Sequence, residues 1–234
     1  YERWAREGAA GWSYADVLPY FKRNESWLEG ESEVRGGSGP VSVRWSESPD
    51  PLFEAWDRAA RSLGYRVDYD MNAGDIEGFG RVQFNIRNGR RASSSAAYLR
   101  PAASRPNLHL RIKALTHRVL LQGTKATGVE YSCGGQTLAA RARREVVLCA
   151  GAFNTPQILM LSGIGPASEL KEHGIAAVAD LPVGRNLRDH WSVPNYYARV
   201  SQGHFLRSMR ADRMAASMVR AYLFGTGHAT QVPT

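Results

Sequence analysis

Hydrophobic residues recur at helical spacing in two stretches of the first third of the chain. The earlier stretch runs from residue 12 to residue 21, where Ser13 stands as the N-cap and Asp16 at position N3 of a capping box. The later stretch, from residue 52 to residue 63, has one apolar face and is closed by Gly64. The pattern therefore predicts two amphipathic helices with defined ends.

Strict alternation of apolar and polar residues predicts short strands beside these helices. The alternation occurs at residues 41–45 and 82–86, and the dipeptide of Asn88 and Gly89 predicts a tight turn shortly after the second strand. The glycine-rich residues 36–39 have neither a buried strand before them nor a helix after them, and a phosphate-binding turn requires both. We interpret residues 36–39 as a surface turn.

After residue 106 the alternation becomes denser and predicts a sheet. Four segments alternate, and a fifth, residues 145–150, is apolar on both faces, as is typical of a strand buried in a parallel sheet. The alternating segments are residues 108–112, 118–121, 126–131 and 137–142. Helices and strands together predict a mixed α/β fold (α+β mixed) that contains a small β-meander.

The strand predicted at residues 145–150 leads directly into a predicted helix. Gly151 ends the strand, Thr155 stands where it can cap the helix, and Pro156 takes the first helical position, where a missing N–H costs nothing. Gly163 ends this helix. A strand, a glycine and a helix in this order allow the backbone to approach a dinucleotide closely and to direct N–H groups towards it.

Charge adds one feature to this picture. The chain of 234 residues has a formal net charge of +8, with 43% hydrophobic and 22% charged residues, which is ordinary for a globular protein. The densest basic groups are Arg87, Arg90, Arg91 and Arg141, Arg143, Arg144. Because no nucleic-acid reading element accompanies them, we expect no nucleic-acid partner. The charge indicates a solvated basic surface or one that attracts an anionic cofactor or substrate.

Cysteines, histidines and long apolar runs add no further chemistry. Cys133 precedes a predicted hairpin turn, Cys149 is expected to be a small buried hydrophobe, and a disulfide between them is neither required nor excluded. The histidines have no metal-ligand spacing, so no metal site is expected. No stretch reaches the roughly 18 apolar residues of a membrane-spanning helix. The first residues do not resemble a signal peptide.

Residues 151–165, with the sequence GAFNTPQILMLSGIG, resemble the second signature of the glucose–methanol–choline (GMC) oxidoreductases at nearly every defined position. Other segments resemble the family in the family's own order, so that the resemblance covers essentially the whole chain. They are GWSY at 11–14, VLPYFK at 17–22, GRRAS at 89–93, AYL at 97–99, VGRNLRDH at 183–190 and LFGTG at 223–227, where His228 replaces the usual proline. The chain thus resembles an internal piece of glucose dehydrogenase-like and choline dehydrogenase-like members.

The resemblance implies part of a Rossmann-like FAD/NAD(P)-binding domain with an interleaved substrate-binding domain. Residues 1–94 are expected to hold capping and substrate-side elements, residues 95–188 part of the FAD-binding domain, and residues 189–234 the start of the substrate-domain sheet. The implied activity is FAD-dependent oxidation of the CH–OH group of a small alcohol or sugar. In that chemistry a base removes a proton and a hydride passes to N5 of the flavin.

Seven residues acquire expected roles from the resemblance. The expected cofactor-binding residues are Thr116, Ala150, Gly151, Asn186 and Asp189, and the expected substrate-side residues are His190 and Ser192. Five of them also have a structural explanation. Gly151 fits any strand-to-helix turn, Thr116 an ordinary turn, Asn186 and Asp189 turn and cap chemistry, and His190 a hydrogen-bonded structural histidine.

Ser192 bears on the substrate. Choline-oxidising members of the family resemble one another in carrying a carboxylate two residues after the histidine, suited to a quaternary ammonium. Here that position is Ser192. A neutral alcohol or a sugar is therefore expected rather than choline.

The resemblance also implies parts that we expect outside this chain. The GxGxxG turn for the flavin pyrophosphate is expected before residue 1 and the catalytic histidine beyond residue 234, so no catalytic residue is nominated. The chain alone is expected to be inactive, to bind FAD poorly and to aggregate through unpaired strand edges. Two alternatives stay open: a flavin-fold lyase of the same family, and a truncated non-catalytic interaction module. The sequence leaves the compartment, the oligomeric state and the choice between oxidase and dehydrogenase undetermined.

Overall fold

The computed structural model describes residues 1–46, 50–67, 70–74, 77–196, 198, 200 and 203–230. Helices and strands are mixed along the chain, which confirms the predicted α/β class. The chain divides into two compact units, one formed by residues 1–108 with 197–234 and the other by residues 109–196. We call them the first and the second unit. The division expected at residues 94 and 188 concerns functional domains and stays a prediction.

The elements are numbered in chain order. The helices are α1 (Glu2–Arg6), α2 (Tyr14–Asn24), α3 (Leu52–Ser62), α4 (Arg100–Ala102), α5 (Gly151–Leu161), α6 (Ala167–Glu172), α7 (His204–Ser208) and α8 (Ala211–Phe224). The strands are β1 (Glu25–Trp27), β2 (Val41–Trp45), β3 (Gln83–Phe84), β4 (Ile86–Arg87), β5 (Arg90–Arg91), β6 (Leu115–Gln122), β7 (Lys125–Cys133), β8 (Gln136–Arg141), β9 (Ile164–Gly165) and β10 (Ala179–Asp180). A π-helical turn (Ser95–Leu99) and a 3₁₀ turn (His228–Thr230) complete the set.

The capping box predicted for the second helix is present. The Asp16 N–H donates to Ser13 Oγ at 3.3 Å, and the Ser13 N–H donates to Asp16 Oδ2 at 3.1 Å. Gly64 follows α3 with a left-handed φ of +79°, as its predicted role as terminator requires. Both helices therefore lie close to their predicted positions because their end signals are local.

The first unit is built on a small mixed sheet in which β1 pairs parallel with β2 and β2 pairs antiparallel with β3. Trp27 is buried on this sheet, and its ring meets that of Trp45 edge to face at 4.9 Å. The interpretation of residues 36–39 as a surface turn is wrong in part. Gly36 is buried, and a Cβ there would lie 1.9 Å from the carbonyl oxygen of Lys22, so the glycine is needed for close packing.

The turn predicted at Asn88 and Gly89 joins β4 and β5. Both residues have left-handed φ values, +51° and +69°, which a two-residue hairpin of this type needs. The turn packs against the end of α8, because a Cβ on Gly89 would lie 2.1 Å from the carbonyl oxygen of Gly225. Two glycines thus hold the hairpin and the C-terminal helix of the first unit together.

The second unit begins with the antiparallel meander β6–β7–β8, which confirms the three strands predicted between residues 118 and 142. Residues 108–112 form no strand, and neither do residues 145–149. Val147 is 71% exposed and Cys149 is exposed, so the buried strand and the buried thiol predicted there are wrong. A parallel strand needs hydrogen-bonded neighbours, and no described residues pair with this segment.

The helix after this segment starts earlier than predicted. It begins at Gly151 rather than Pro156, and Pro156 lies inside it. Thr155 is therefore not the N-cap. Its Oγ1 instead accepts a hydrogen bond of 3.1 Å from the N–H of Ala150. Gly163 ends the helix with φ +82°, as predicted.

A small core holds the rest of the second unit together. Leu170 on α6 is its most buried side chain, at 1% exposure, and Val119 and Ile158 are also buried. β9 and β10 pair in parallel beside it. The Asp180 carboxylate accepts a 2.9 Å hydrogen bond from the N–H of Ala167, the first residue of α6. This core positions α5 and the loop after β10, where most of the expected site residues lie.

Candidate functional site

Gly151 is the first residue of α5 and is open to solvent. Its φ of +86° lies in the left-handed region, which disfavours residues with a Cβ. Apart from its chain neighbours and the backbone of the same helix, no heavy atom of the described residues lies within 4 Å of the position that a Cβ would occupy. The backbone at this point can therefore be approached closely by another molecule.

The first turn of α5 supplies hydrogen-bond donors at the same place. The leading N–H groups of a helix have no partner within the helix and carry a partial positive charge. The N–H of Ala150, just before the helix, is already bonded to Thr155. The donors open to a ligand are therefore those of the helix itself, and their chemistry favours an oxygen-rich or anionic group.

Thr116 lies in β6, paired with Tyr131 of β7, and is half-buried. It is not the ordinary turn residue of the structural explanation. The register of the two strands shifts between Thr116 and Arg118, so His117 is the extra residue of a bulge. A bulge re-aims the neighbouring backbone, and the expected cofactor-binding role of Thr116 stays a prediction.

Asn186, Asp189, His190 and Ser192 lie in an exposed segment without helix or strand. Asn186 has a left-handed φ of +59°, and Asp189 Oδ1 accepts a 2.7 Å hydrogen bond from the N–H of His190. Turn chemistry therefore accounts for both residues. The His190 side chain makes no hydrogen bond to a described acid or base, so the explanation as a hydrogen-bonded structural histidine has no support in this part of the chain.

All seven expected residues belong to the second unit, and Thr116 alone among them is not exposed. Contacts that the sequence did not predict connect the elements carrying them. Ser162, at the end of α5, accepts a 2.8 Å hydrogen bond from the N–H of Val119 in β6 and donates a 2.5 Å bond to the carbonyl of Ile158. Arg185, beside Asn186, forms an ion pair with Glu169 of α6.

Ser162 is the buried residue beside the candidate site that the sequence did not predict. It lies inside the segment at 151–165, but the serine gives no local sign of a partner 43 residues away. Its hydroxyl satisfies a backbone donor that would otherwise be buried and unpaired. Ser162 thereby fixes the strand of Thr116 against the helix of Gly151.

Two side chains of the meander have shifted pKa values, and they are the only such pair among the described residues of the second unit. Arg118 in β6 donates two 3.0 Å hydrogen bonds to the carboxylate of Glu130 in β7. The hydrogen bond from Arg118 lowers the pKa of Glu130, and the same bond raises the pKa of Arg118. Both side chains lie at the surface of the meander. The pair therefore links strands β6 and β7, and we do not assign it an acid–base role.

The described residues fit part of a flavin nucleotide. The free space beside Gly151 and the N–H groups at the start of α5 fit a close backbone contact with a phosphate- or carbonyl-bearing group. The surroundings of Gly151 are an open surface and not the edge of a parallel sheet. The prediction that a strand buried in a parallel sheet leads into Gly151 is therefore wrong, because no described strand pairs with residues 145–149.

Family membership is decided by comparison with known proteins. The family pattern described as GMC oxidoreductase matches residues 1–192. The chain therefore belongs to the GMC oxidoreductase family, as its resemblance implied. Among the described residues, no helix is long and apolar enough to cross a membrane. The same residues contain no group of three or more His, Cys, Asp or Glu side chains that could hold a metal ion.

Its relatives include choline dehydrogenases. The chain is 48% identical over 194 residues to the oxygen-dependent choline dehydrogenase of Brucella anthropi, covering 82% of this chain and 35% of that protein. It is 47% identical over 194 residues to the mitochondrial choline dehydrogenase of Mus musculus, covering 82% of this chain and 33% of that protein. The chain thus spans about a third of the length of these relatives.

A solved structure agrees with the fold. An FAD-dependent oxidoreductase from Chaetomium thermophilum superposes with a TM-score of 0.81 at 27% identity, covering 99% of this chain and 43% of that one. The likeness extends over both units. The expectation of an FAD/NAD(P)-type GMC fold is thereby confirmed, and the roles of the seven residues stay predictions.

Proposed function

We propose that the protein to which this chain contributes oxidises the CH–OH group of a small alcohol, with FAD as the hydride acceptor. The observation that carries the proposal is the left-handed, unobstructed Gly151 at the start of α5, within a segment that the GMC family pattern matches. When bound, FAD supplies the electron sink. The residues of this chain provide backbone contact and orientation.

Gly151, Ala150 and Thr116 are the residues that we propose lie against the cofactor. Gly151 offers space and helix N–H groups, and Ser162 keeps the strand of Thr116 fixed to the same helix. We also propose that Asn186 and Asp189 contact the cofactor. They lie on the loop that the ion pair between Arg185 and Glu169 connects to α6. No residue of this chain is proposed as the catalytic base.

Two substrate classes compete. Ser192 supports a neutral alcohol or a sugar, because a serine hydroxyl offers no negative charge to a quaternary ammonium. The names of the relatives support choline. The first class is our proposal, and choline is the second candidate.

The experiment uses the protein expressed from the whole reading frame that encodes this chain. Flavin absorbance near the visible maximum is followed under anaerobic conditions while choline, a primary alcohol or glucose is added. Bleaching by any of the three supports the proposal, and the fastest substrate decides between the classes. Bound flavin that no alcohol bleaches would favour the lyase alternative, and a protein without flavin would favour the interaction module. Either of these results overturns the proposal.

Two variants connect the result to this chain. Gly151→Val should lower the flavin content, whereas Gly174→Val should not, although Gly174 has a similar φ of +68° and equally free space. The backbone strain of the two variants is thus matched. Equal flavin contents would show that Gly151 has no contact with the cofactor.

The role of Ser192 is tested with two replacements of nearly equal size, of which only one carries a negative charge. Ser192→Glu should raise kcat/KM for choline relative to a neutral alcohol, whereas Ser192→Gln should not. An unchanged ratio in both variants would remove Ser192 from the substrate side.

A further inference from the structure

Three of the four paired positions of the β4–β5 hairpin in the first unit are arginines. Arg87 and Arg90 lie directly opposite each other, and Arg91 lies opposite Ile86. Like charges directly opposite on neighbouring strands destabilise the pairing. The hairpin therefore carries an electrostatic cost that a bound anion would offset.

A cavity of about 460 Å³ lies beside this hairpin. The three arginines line it together with Arg100, Tyr222 and Phe224, and no acidic residue is among its described lining residues. A volume of this size lies within the range of small-molecule sites. The cavity combines four cations with two aromatic side chains and no opposite charge.

The four arginines differ in what holds them. Arg90 donates a 3.4 Å hydrogen bond to the carbonyl oxygen of Tyr222, and its guanidinium lies 5.9 Å from the centre of that ring. The side chains of Arg87, Arg91 and Arg100 make no hydrogen bond or ion pair with any described residue. Arg90 thus fixes the end of α8, and the other three guanidinium groups are available to a ligand.

We propose that this cavity binds a small polyanion through phosphate or carboxylate groups. A guanidinium presents paired N–H donors that match both kinds of oxygen pair, and hydrogen bonds between charged groups are the stronger ones. The ligand would offset the repulsion between Arg87 and Arg90, and its less polar part would lie against Tyr222 and Phe224. This site rests on the first unit alone and is independent of the proposed flavin chemistry.

Binding is measured by isothermal titration of the protein expressed from the whole reading frame that encodes this chain, with inorganic pyrophosphate and, separately, with citrate. We expect saturable binding of at least one, and the tighter of the two identifies the phosphate or the carboxylate source. The double variant Arg87→Gln with Arg91→Gln should weaken it roughly tenfold or more, the equivalent of one lost charge-assisted hydrogen bond. Arg90 is left unchanged because it holds Tyr222.

The matched control is Arg143→Gln with Arg144→Gln. These two exposed arginines lie outside the cavity, and their replacement removes the same charge. Equal weakening in both double variants, or saturation with neither anion, would overturn the proposal.

A second measurement needs no variant. Phenylglyoxal modifies accessible arginines, and peptide mass spectrometry reports each site. The tighter anion should slow modification of Arg87, Arg91 and Arg100 several-fold while leaving Arg143 and Arg144 unchanged. Uniform protection of all five arginines, or none, would contradict a site at the hairpin.

Discussion

Replacing Arg35 should lower the free energy of unfolding of the first unit by more than replacing an exposed arginine does. Its guanidinium is 4% exposed and donates to Glu25 at 2.7 and 2.9 Å and to both carboxylate oxygens of Asp70 at 2.8 Å. It also donates to Gln83 at 3.1 Å and lies 4.1 Å above the ring of Trp27. One side chain thereby joins the turn at 36–39, the sheet and the loop at 70–74.

The magnitude follows from what Arg35→Met would leave behind. Glu25 and Asp70 are 20% and 15% exposed, so two nearly buried carboxylates would lose their cation. Breaking a buried pair in this way costs about 3–5 kcal/mol. Methionine keeps an apolar contact with Trp27 but gives up the cation–π interaction, which adds about 1 kcal/mol. We expect a loss of about 4–6 kcal/mol in the free energy of unfolding.

The assay is urea unfolding followed by far-UV circular dichroism, in which the midpoint falls while the slope stays constant. The control is Arg3→Met, which breaks an exposed pair of Arg3 with Glu7 and should change stability by less than about 0.5 kcal/mol. Adding Glu25→Gln and Asp70→Asn to Arg35→Met should restore most of the loss, because the uncompensated charges are then gone.

Two results would refute this reasoning. A cost for Arg35→Met no larger than that for Arg3→Met would mean that Arg35 is solvated in solution. No recovery in the triple variant would mean that packing against Trp27, rather than charge, determines the effect.

Two further predictions concern the second unit. Ser162→Ala should cost about 2 kcal/mol in urea unfolding, because it leaves the N–H of Val119 buried without a partner. The control is Ser62→Ala, because Ser62 is exposed and its hydroxyl donates a similar hydrogen bond to a carbonyl of its own helix. This replacement should change the free energy of unfolding very little. Equal losses in the two variants would contradict the proposed role of Ser162. Carbon-13 NMR titration of Glu130 should give a pKa below its ordinary value, and Arg118→Gln should raise it. The pair therefore stabilises the fold above the ordinary carboxyl pKa and loses that contribution as pH falls through the lowered pKa, whereas an unchanged Glu130 titration in the variant would argue against it.

Within the candidate site, the turns predicted at two glycines were correct, whereas the predicted start of the helix was not. The glycine at position 151 and the terminator at 163 were both predicted, because a left-handed φ leaves its mark on the identity of a single residue. The start of the same helix was misplaced by five residues, from 156 to 151. Pro156 and Thr155 fit a helix start, but the hydroxyl of Thr155 found its donor at Ala150 from inside the helix.

The amino-acid sequence by itself determined several local structures and the resemblance to the family, which comparison with known proteins confirmed. The capping box at Ser13, the left-handed turn at Asn88 and Gly89 and the GMC signature all depend on residues within a few positions of one another. Tertiary structure alone decided which polar side chains became anchors. Arg35 meets Asp70 and Ser162 meets Val119 across 35 and 43 residues, and no periodicity encodes such partners. It also decided the exposure of Val147, because an apolar pattern specifies a tendency to be buried, whereas burial itself requires neighbouring strands.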